Sequence, residues 1–304
     1  MWGAICARNE ADIIEVNLRH HLKLGLAGIV FVDNASDDGT AEIAASVPGV
    51  RAFVDRSPYD QASQNRRMTE LAMGFGAEWV LTIDADEFWY PTQSDSIPQA
   101  VAAAAARGLE MFRVPGHSHA CSVWDDPSQA DPVRRLRWRF TKQDRNSKVA
   151  FRCAPGRWAA GGNEQCSDSS TRPPIQYDLW LRHYPVRSLA CFVKKIRSCR
   201  RSSVHRHIEK WYRALRSNPD AFGRYFLRKC VFGRRKLSRA PWRWVEDPLK
   251  PGRKLDDPRM ALNRLTRAEI TSNVPESTPP RRRKRRPRMT RKQRRLRRRR
   301  RSER

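Results

Sequence analysis

The first hundred residues alternate short apolar runs with amphipathic stretches, and this alternation limits the fold more than any other feature of the chain. Apolar runs with the length of buried strands occur at 3–7, 28–33, 50–55 and 78–84. Between them, stretches with helical spacing of apolar side chains occur at 11–25, 39–47 and about 60–76. Strands that alternate with helices in this way predict a mainly parallel sheet covered by helices on both faces. We therefore expect an α/β fold.

The pattern is weaker after residue 100. Leu136, Trp138 and Phe140 alternate with arginines, which predicts a half-buried antiparallel strand over 133–140. Residues 151–175 have the composition of a loop. The remaining predictions are strands at 109–116 and 177–185 and helices at 188–200 and 205–217.

The charge is concentrated at the C-terminus. The chain carries a net charge of +29, and residues 281–304 hold 17 Arg or Lys residues and one Glu. Such a segment repels itself and has almost no apolar residues, so we expect a disordered polybasic tail over 281–304. It would attract nucleic acid, anionic lipid or polyphosphate by counterion release. A solvated extension without a dedicated partner is the alternative, because charge alone carries no specificity. Residues 218–280, rich in Arg, Pro and Trp, predict an irregular basic extension.

Cysteine usage and hydropathy indicate the compartment. The seven cysteines include no C-x-x-C pair, and the N-terminus lacks a basic segment followed by an apolar one. No apolar run approaches the ~20 residues of a membrane span. These features predict a cytoplasmic protein with reduced thiols and no transmembrane segment. They leave peripheral contact with the inner face of an anionic membrane, through 281–304, as an option.

Acidic side chains follow three of the predicted strands. In an open parallel sheet, ligands bind at the carboxyl ends of the strands, so these acids would meet in one crevice. Their mutual repulsion is costly unless a cation or ligand hydroxyls compensate it. Asp84 and Asp86 stand one residue apart, so both can reach one hard divalent ion, which could bind a diphosphate. The strand-end residues are Arg8, Asn9 and Glu10, the segment "DNASDDGT" (33–40), and Asp84, Asp86 and Glu87.

Three segments together resemble a known enzyme family. They are "ARNEADIIEVNLRHHLKLGLAGIVFVDNASDDGT" (7–40), "EWVLTIDADEF" (78–88) and "LRHYPVRS" (181–188). They resemble nucleotide-diphospho-sugar glycosyltransferases of family 2, in the branch with a D-A-D-E-F motif and a later H-Y-P-x-R-S segment. The resemblance implies a GT-A domain over 1–217. It also implies Mn²⁺- or Mg²⁺-dependent transfer, typically with inversion, from a nucleotide-diphosphate sugar to an unknown glycan, lipid-linked or cell-envelope acceptor.

The resemblance also assigns roles to the strand-end residues. Asp33 and Asn34 stand where the family holds the base and ribose of the donor. Asp86 would be the direct metal ligand, and Asp84 would face the ribose or the metal with its water. Arg8, Asn9 and Glu10 complete the predicted nucleotide-sugar site. Lys148, Arg187 and Lys194 fall where cations could hold the diphosphate. Glu87 would support the turn or the acceptor side.

An inverting transfer needs a general base for the acceptor hydroxyl. Glu164 in "GGNEQ" (161–165) is the first candidate, because two glycines allow close backbone approach to a ligand. Related sequences of this branch resemble G-N-H at this point, so Glu164 departs from the pattern. Asp178 and His183 are alternatives. His183 could instead be a third metal ligand or a hydrogen-bonded structural histidine.

Two other classes compete with this hypothesis. The charge favours a basic protein that binds nucleic acid or another polyanion on a degenerate α/β domain. A nucleotidyltransferase on a related sheet has less support, because no glycine-rich phosphate loop follows the first strand.

Overall fold

The computed structural model describes residues 1–122, 124–126, 128–140, 147–199 and 244–246. These residues belong to one compact unit, Met1–Ser272, and the second unit, Asn273–Arg304, lies outside the described residues. The predicted helix at 205–217, the extension at 218–280 except for 244–246, and the tail at 281–304 also lie outside them.

The N-terminal part of the chain forms the predicted parallel sheet. Four strands pair in the order β3-β2-β1-β4, all parallel, with a helix between each strand and the next along the chain. The prediction of an α/β fold with a mostly parallel central sheet and flanking helices is therefore confirmed. The elements are β1 (Trp2–Ala7), α1 (Ile14–Lys23), β2 (Gly28–Asp33), α2 (Thr40–Ser46), β3 (Val50–Val54), α3 (Gln61–Gly74) and β4 (Trp79–Thr82).

Both faces of β2 are buried, because helices cover each side of the sheet at this strand. In β2, Ile29 and Phe31 join the apolar cluster under α1 and α2, whereas Val30 and Val32 join the cluster under α3. All four side chains are fully buried. Burial of a side chain of this size contributes about 1.5–3 kcal/mol, so the continuous apolar run of β2 fixes its place inside the sheet.

Two antiparallel strands extend the first sheet beyond β4. They are β6 (Met111–Val114) and β9 (Lys148–Arg152), and they complete the order β3-β2-β1-β4-β9-β6. In β9 the residues from Lys148 to Phe151 are all buried. This pairing places Lys148, at the start of β9, near the end of β4 where the acidic segment begins.

A second sheet carries the acidic segment and the later motif. It has the order β13-β8-β7-β12-β5, with His183 of β12 directly opposite Glu87 of β5. This antiparallel pairing brings "LRHYPVRS" to the acidic turn from almost a hundred residues away. The strands are β5 (Glu87–Pro91), β7 (Gly116–Ala120), β8 (Trp138–Phe140), β12 (Leu179–His183) and β13 (Trp244–Glu246). The remaining elements are α4 (Ile97–Ala106), α5 (Pro132–Arg135), β10 (Ala159–Ala160), β11 (Gln165–Cys166) and α6 (Leu189–Cys199).

Two of the predicted strands are wrong in extent. The stretch 133–140 begins as the short helix α5, because Asp131 caps the amides of Val133 and Arg134 and Pro132 occupies the first turn. Only its last three residues form β8. The stretch 109–116 divides at Pro115, which lacks an amide donor, into strands of different sheets.

The other late predictions have mixed outcomes. The strand at 177–185 and the helix at 188–200 are confirmed as β12 and α6. The predicted loop at 151–175 contains the β10–β11 pair, and α4 and β5 were not predicted. Among the described residues, no helix is both long and apolar enough to cross a bilayer.

Candidate functional site

A cavity of about 670 Å³ opens at the carboxyl ends of the parallel strands. The predicted convergence of strand-end residues is therefore present. Arg8, Asn9, Glu10, Asn34, Asp84 and Asp86, all predicted for the nucleotide-sugar or metal site, line this cavity. Further lining comes from Cys6, Ala7, Ala35, Arg56, Ser57, Pro58, Tyr59, Gln61, Cys191, Lys194 and Lys195.

The loops after β1 and β2 form the floor of the cavity by bonding to each other. The amide of Asn9 donates to the Ser36 hydroxyl at 2.9 Å, and the amide of Asp37 donates to Oδ1 of Asn9 at 2.9 Å. Asn9 and Ala35 have left-handed backbones, with φ of 59° and 56°. Such values are uncommon outside glycine, and the reciprocal bonds hold them in place.

Asp38 and Asp37 lie in the loop between β2 and α2. Asp38 accepts from the amide of Thr40 at 3.2 Å and from the amide of Ala11 at 3.3 Å. These bonds, with the Thr40 hydroxyl, outweigh burial and lower the pKa of Asp38. The carboxylate of Asp38 therefore joins the loop after β1 to the start of α2.

Asp33 and Asn34 stand at the end of β2. One oxygen of Asp33, Oδ2, accepts from the amide of Ser36 at 2.8 Å. The other, Oδ1, is buried and has no hydrogen-bond partner among the described residues. Asn34 donates to the carbonyls of Asp55 and Ser57, both at 3.2 Å. A buried acceptor without a donor is costly, so Asp33 suits a ligand that brings an N–H or O–H group.

Asn17 of α1 sets the shape of the acidic turn. Its side-chain amide is buried and donates to the carbonyls of Glu87 at 2.7 Å and Ala85 at 3.0 Å, with Asp84 at 3.4 Å. One amide therefore ties down the backbone of the whole segment 84–87. These hydrogen bonds to Asn17 hold the backbone of the turn in place. Asp84 and Asp86 of the same turn line the cavity.

Lys148 forms a salt bridge with Asp84. Its ammonium is 2.6 Å from Oδ2 of Asp84 and 3.5 Å from Oε1 of Glu87. Burial disfavours its charge, but the two carboxylates outweigh burial and raise the pKa of Lys148. Burial and repulsion from Asp84 raise the pKa of Glu87 to about 7 against the attraction of Lys148. Lys148 thus holds carboxylates and does not line the cavity, unlike its predicted place on the diphosphate.

Asp86 is a buried carboxylate with three basic side chains around it. Its Oδ2 is 3.0 Å from the ammonium of Lys195, 3.7 Å from Nε2 of His183 and 3.9 Å from the guanidinium of Arg187. Burial opposes ionisation, but these positive groups outweigh it and hold the pKa of Asp86 well below its usual range. Attraction to Asp86 in turn raises the pKa of Lys195. Asp86 is therefore ionised and its charge is compensated by the protein itself.

Arg187 is a buried clamp. Its guanidinium donates to Oδ2 of Asp12 at 2.8 Å, to the carbonyl of Tyr184 at 3.0 Å and to Glu10. Only 1% of its side chain is exposed. Burial raises the pKa of Glu10 to about 7, against the attraction of Arg187. Arg187 joins the loop after β1 to the segment after β12 and is not part of the cavity lining.

The glycine pair in "GGNEQ" begins a left-handed turn that ends at Asn163. Gly161, Gly162 and Asn163 have φ of 57°, 74° and 67°. A Cβ on Gly161 would stand 2.8 Å from the Gln165 side chain, so the turn requires glycine there. The amide of Asn163 is 3.4 Å from Oδ1 of Asp84.

Neither of the two carboxylates predicted as general bases, Glu164 and Asp178, lines the cavity. The carboxylate of Glu164 is 3.0 Å from the guanidinium of Arg172, and Glu164 is not part of the cavity lining. Asp178 precedes β12, whereas His183 ends it, so the length of a five-residue strand separates Asp178 from the acidic turn. Asp178 instead accepts from Gln176 at 2.6 Å and pairs with Arg107 at 3.3 Å. The structure does not bring Asp178 to the site.

His183 stands close to Asp86, as a shared metal site would require. Its Nδ1 is 3.3 Å from the hydroxyl of Ser118, which fixes the ring, and Nε2 faces Asp86. Two carboxylates and an imidazole are donors that suit Mn²⁺ or Mg²⁺ in kind. Among the residues that the structure describes, however, no three His, Cys, Asp or Glu side chains are close enough together to hold a metal ion. Nε2 of His183 lies 3.7 Å from Oδ2 of Asp86, and the ammonium of Lys195 contacts the same oxygen.

Four residues of this site were not singled out in the sequence. Lys195 and Tyr59 line the cavity, and Asn17 and Asn163 hold the acidic turn. A usable local signal exists only for Asn163, since a polar residue after two glycines favours a left-handed turn. Lys195 is one of 61 bases in the chain, and nothing in its local sequence distinguishes it.

Comparisons with known proteins give one family match. Residues 4–160 match the family model described as glycosyl transferase family 2. Comparison with curated protein sequences gives no significant match.

Similar solved structures cover parts of the chain. Mannosyl-3-phosphoglycerate synthase from Rubrobacter xylanophilus is 22% identical, over 39% of this chain and 40% of that chain, with a TM-score of 0.30. S. aureus TarS in complex with UDP-GlcNAc is 16% identical, over 38% and 34%, with a TM-score of 0.31. S. aureus TarS in complex with UDP is 11% identical, over 64% and 63%, with a TM-score of 0.36. The aligned part of this chain thus spans less than half the length of the first two structures.

Proposed function

The chain belongs to glycosyl transferase family 2, and on that basis we propose that it transfers a sugar from a nucleotide-diphosphate donor to an acceptor hydroxyl. The transfer uses Mn²⁺ or Mg²⁺ and inverts the anomeric carbon. The D-A-D-E-F motif at 84–88 and the segment "HYPVRS" at 183–188 favour the branch of the family that carries both. The acceptor is a glycan, a lipid-linked sugar or a component of the cell envelope.

One observation carries this proposal. The segments that follow β1, β2 and β4 meet in a cavity of about 670 Å³, a volume within the range of small-molecule sites, and its acids are Glu10, Asp84 and Asp86. The cations Arg8, Arg56, Lys194 and Lys195 line the same cavity. A nucleotide diphosphate needs both kinds of group, because its hydroxyls and base N–H groups require acceptors while its phosphates require cations.

The nucleoside end lies at the end of β2. Asp33 supplies a buried oxygen without a partner among the described residues, and this oxygen accepts from the base or from a ribose hydroxyl. Tyr59 lines the cavity with an exposed ring, on which the base can stack. Asn34 keeps the loop after β3 in place through its bonds to Asp55 and Ser57.

The diphosphate end lies at the acidic turn. Asp86 and His183, with Asp84, are the residues that would hold the divalent ion, and enzymes of this family generally use one. When bound, such an ion stabilises the charge on the departing diphosphate. The contacts of Lys148 and Arg187 favour a positioning role for both, since each is buried against carboxylates.

The general base must accept a proton from the acceptor hydroxyl. Glu164 is the better of the two carboxylate candidates, because its neighbour Asn163 contacts Asp84. To act, Glu164 must release Arg172, which is 62% exposed and therefore free to turn into solvent. Asp178 has less support, because it lies at the other end of β12 from the acidic turn.

A donor screen tests the proposal. Hydrolysis of UDP- and GDP-linked sugars by the full chain is measured with Mn²⁺, with Mg²⁺ and with EDTA. We expect release of UDP or GDP from one donor class, dependent on the metal and lost in Asp86→Asn. Equal release by wild type and Asp86→Asn would contradict the assignment of the site.

The tail motivates a second function beside the first. We propose that residues 281–304, which hold 17 bases and one acid, contact anionic membrane or another polyanion and keep a cytoplasmic enzyme at the inner face of the membrane. Binding to vesicles that contain anionic lipid should fall steeply with salt and disappear on deletion of 281–304, while Asp86→Asn leaves it unchanged. Retention of vesicle binding after the deletion would contradict this role.

A further inference from the structure

Two cations face Asp86, and they are held in different ways. Arg187 is enclosed, with 1% of its side chain exposed, and it also bonds to Glu10, Asp12 and the carbonyl of Tyr184. The side chain of Lys195 is 38% exposed, and among the described residues its single hydrogen bond is the one to Asp86 at 3.0 Å. Arg187 is therefore fixed, whereas Lys195 can leave Asp86 by breaking one contact.

Lys195 also stands where a diphosphate would arrive. It lines the cavity together with the acids Asp84 and Asp86 and with the cations Arg8, Arg56 and Lys194. A lysine carries a compact charge on a flexible four-carbon chain, so its ammonium can move within the cavity while α6 stays in place.

We propose that Lys195 is an exchangeable counterion. It neutralises Asp86 while the site holds no donor, and it moves to the diphosphate of the donor when a divalent ion binds Asp86. A buried carboxylate needs a cation in both states, and an ammonium and a divalent ion on the same carboxylate repel each other. This inference rests on the proposed function and adds a residue and an order of events to it.

The exchange predicts that removal of the Lys195 charge changes the affinities for two ligands in opposite directions. Removal of the Lys195 charge frees Asp86, so the protein binds a divalent ion more tightly. The same removal takes away a cation from the diphosphate, so the protein binds a nucleotide diphosphate more weakly. A lysine with a purely structural role would weaken both ligands. A lysine that only contacts phosphate would leave the affinity for the metal ion unchanged.

The experiment titrates the full-length chain with MnCl₂ by calorimetry, in the absence of nucleotide. Lys195→Met is expected to bind Mn²⁺ about tenfold more tightly than wild type, the equivalent of one charge-assisted contact. Lys194→Met removes the same charge one residue away, but Lys194 pairs with Asp38 at 3.4 Å, so its affinity for Mn²⁺ should stay within about twofold. Lys195→Arg keeps the charge and should keep the weaker affinity.

A second titration, with UDP and GDP at saturating Mn²⁺, measures the other half of the exchange. Lys195→Met is expected to bind the preferred nucleotide about tenfold more weakly than wild type. The inference is overturned if folded Lys195→Met, verified by circular dichroism, binds Mn²⁺ no more tightly than wild type. It is also overturned if that variant binds UDP and GDP as well as wild type does. A wild-type protein that binds Mn²⁺ but neither nucleotide contradicts the proposed function instead.

Discussion

The acids of the site and the cations that pair with them come from different parts of the described structure. Residues up to Glu87 supply the carboxylates, which follow strands of the parallel sheet. Residues from Lys148 onward supply the cations that hold those carboxylates, and they come from β9, from the segment after β12 and from α6. The parallel sheet therefore supplies the acids of the site without their counterions. The cations that pair with these acids come from the later part of the chain.

The same contrast is present within the site. Asp84 is paired with Lys148, whose side chain is 7% exposed on a strand. Asp86 is paired with Lys195, whose side chain is 38% exposed on a helix. The first pair is built into the sheet and the second is open to the cavity. We infer that the first fixes the acidic turn and that the second can be exchanged.

The largest effect is expected at the most enclosed cation. Arg187→Met leaves Glu10 and Asp12 without their partner, so we expect it to lower the free energy of unfolding by about 3–5 kcal/mol. Urea unfolding followed by circular dichroism measures this loss. The matched control is Arg66→Met, which breaks an exposed pair with Glu70 on α3 and should cost about 0.5 kcal/mol or less. Similar losses in the two variants would show that Arg187 is not a structural clamp.

The two lysines provide the next comparison. Lys148→Met removes a buried ammonium from Asp84 and Glu87, and we expect it to cost about 3 kcal/mol. Lys195→Met removes a partly exposed ammonium from Asp86, where Arg187 remains nearby, and we expect about 1 kcal/mol or less. Unfolding of both variants under the same conditions tests the distinction. If Lys195→Met costs as much as Lys148→Met, Lys195 is a fixed part of the structure.

A smaller effect is expected at Asn17. Asn17→Ala removes the donor for the carbonyls of Asp84, Ala85 and Glu87, and buried acceptors without donors cost about 1–3 kcal/mol. We expect a loss of about 2 kcal/mol together with weaker nucleotide binding, because the turn that carries Asp84 and Asp86 loses its support. If folded Asn17→Ala binds nucleotide as tightly as wild type, support of the acidic turn by Asn17 is not needed for binding.

The smallest effect is expected at Asp178. Asp178→Asn changes a partly exposed carboxylate at the far end of β12, so kcat should stay within about twofold of wild type. Glu164→Gln is its matched comparison, and we expect kcat to fall about a hundredfold if Glu164 is the general base. Measured with one donor and one acceptor, a loss confined to Asp178→Asn would reverse the assignment.

The parallel sheet and its acidic strand ends could be predicted because their signals are local. Continuous apolar runs such as "GIVFVD" specify buried parallel strands, and the topology of such a sheet brings Glu10, Asn34 and Asp84 together. The pattern failed where local signals conflict, as in 133–140, where a capping aspartate and a proline start a helix.

The cations of the site could not be predicted in the same way. Lys148 meets Asp84 across 64 residues of sequence, and Lys195 meets Asp86 across 109. In a chain with 61 bases, composition and spacing do not indicate which of them meet the acids. The resemblance to a family pointed to "HYPVRS", and it located His183 and Arg187 near the site without indicating that Arg187 is buried.

Nucleotide binding tests the central claim most directly. Calorimetric titration of UDP and GDP into wild type and Asp86→Asn, with Mn²⁺ and with EDTA, compares the site with and without the Asp86 carboxylate. We expect wild type to bind one of the two nucleotides with Mn²⁺ and to lose that binding with EDTA or with Asp86→Asn, while the variant remains folded. Equal binding by folded Asp86→Asn in the presence of Mn²⁺ would contradict the account.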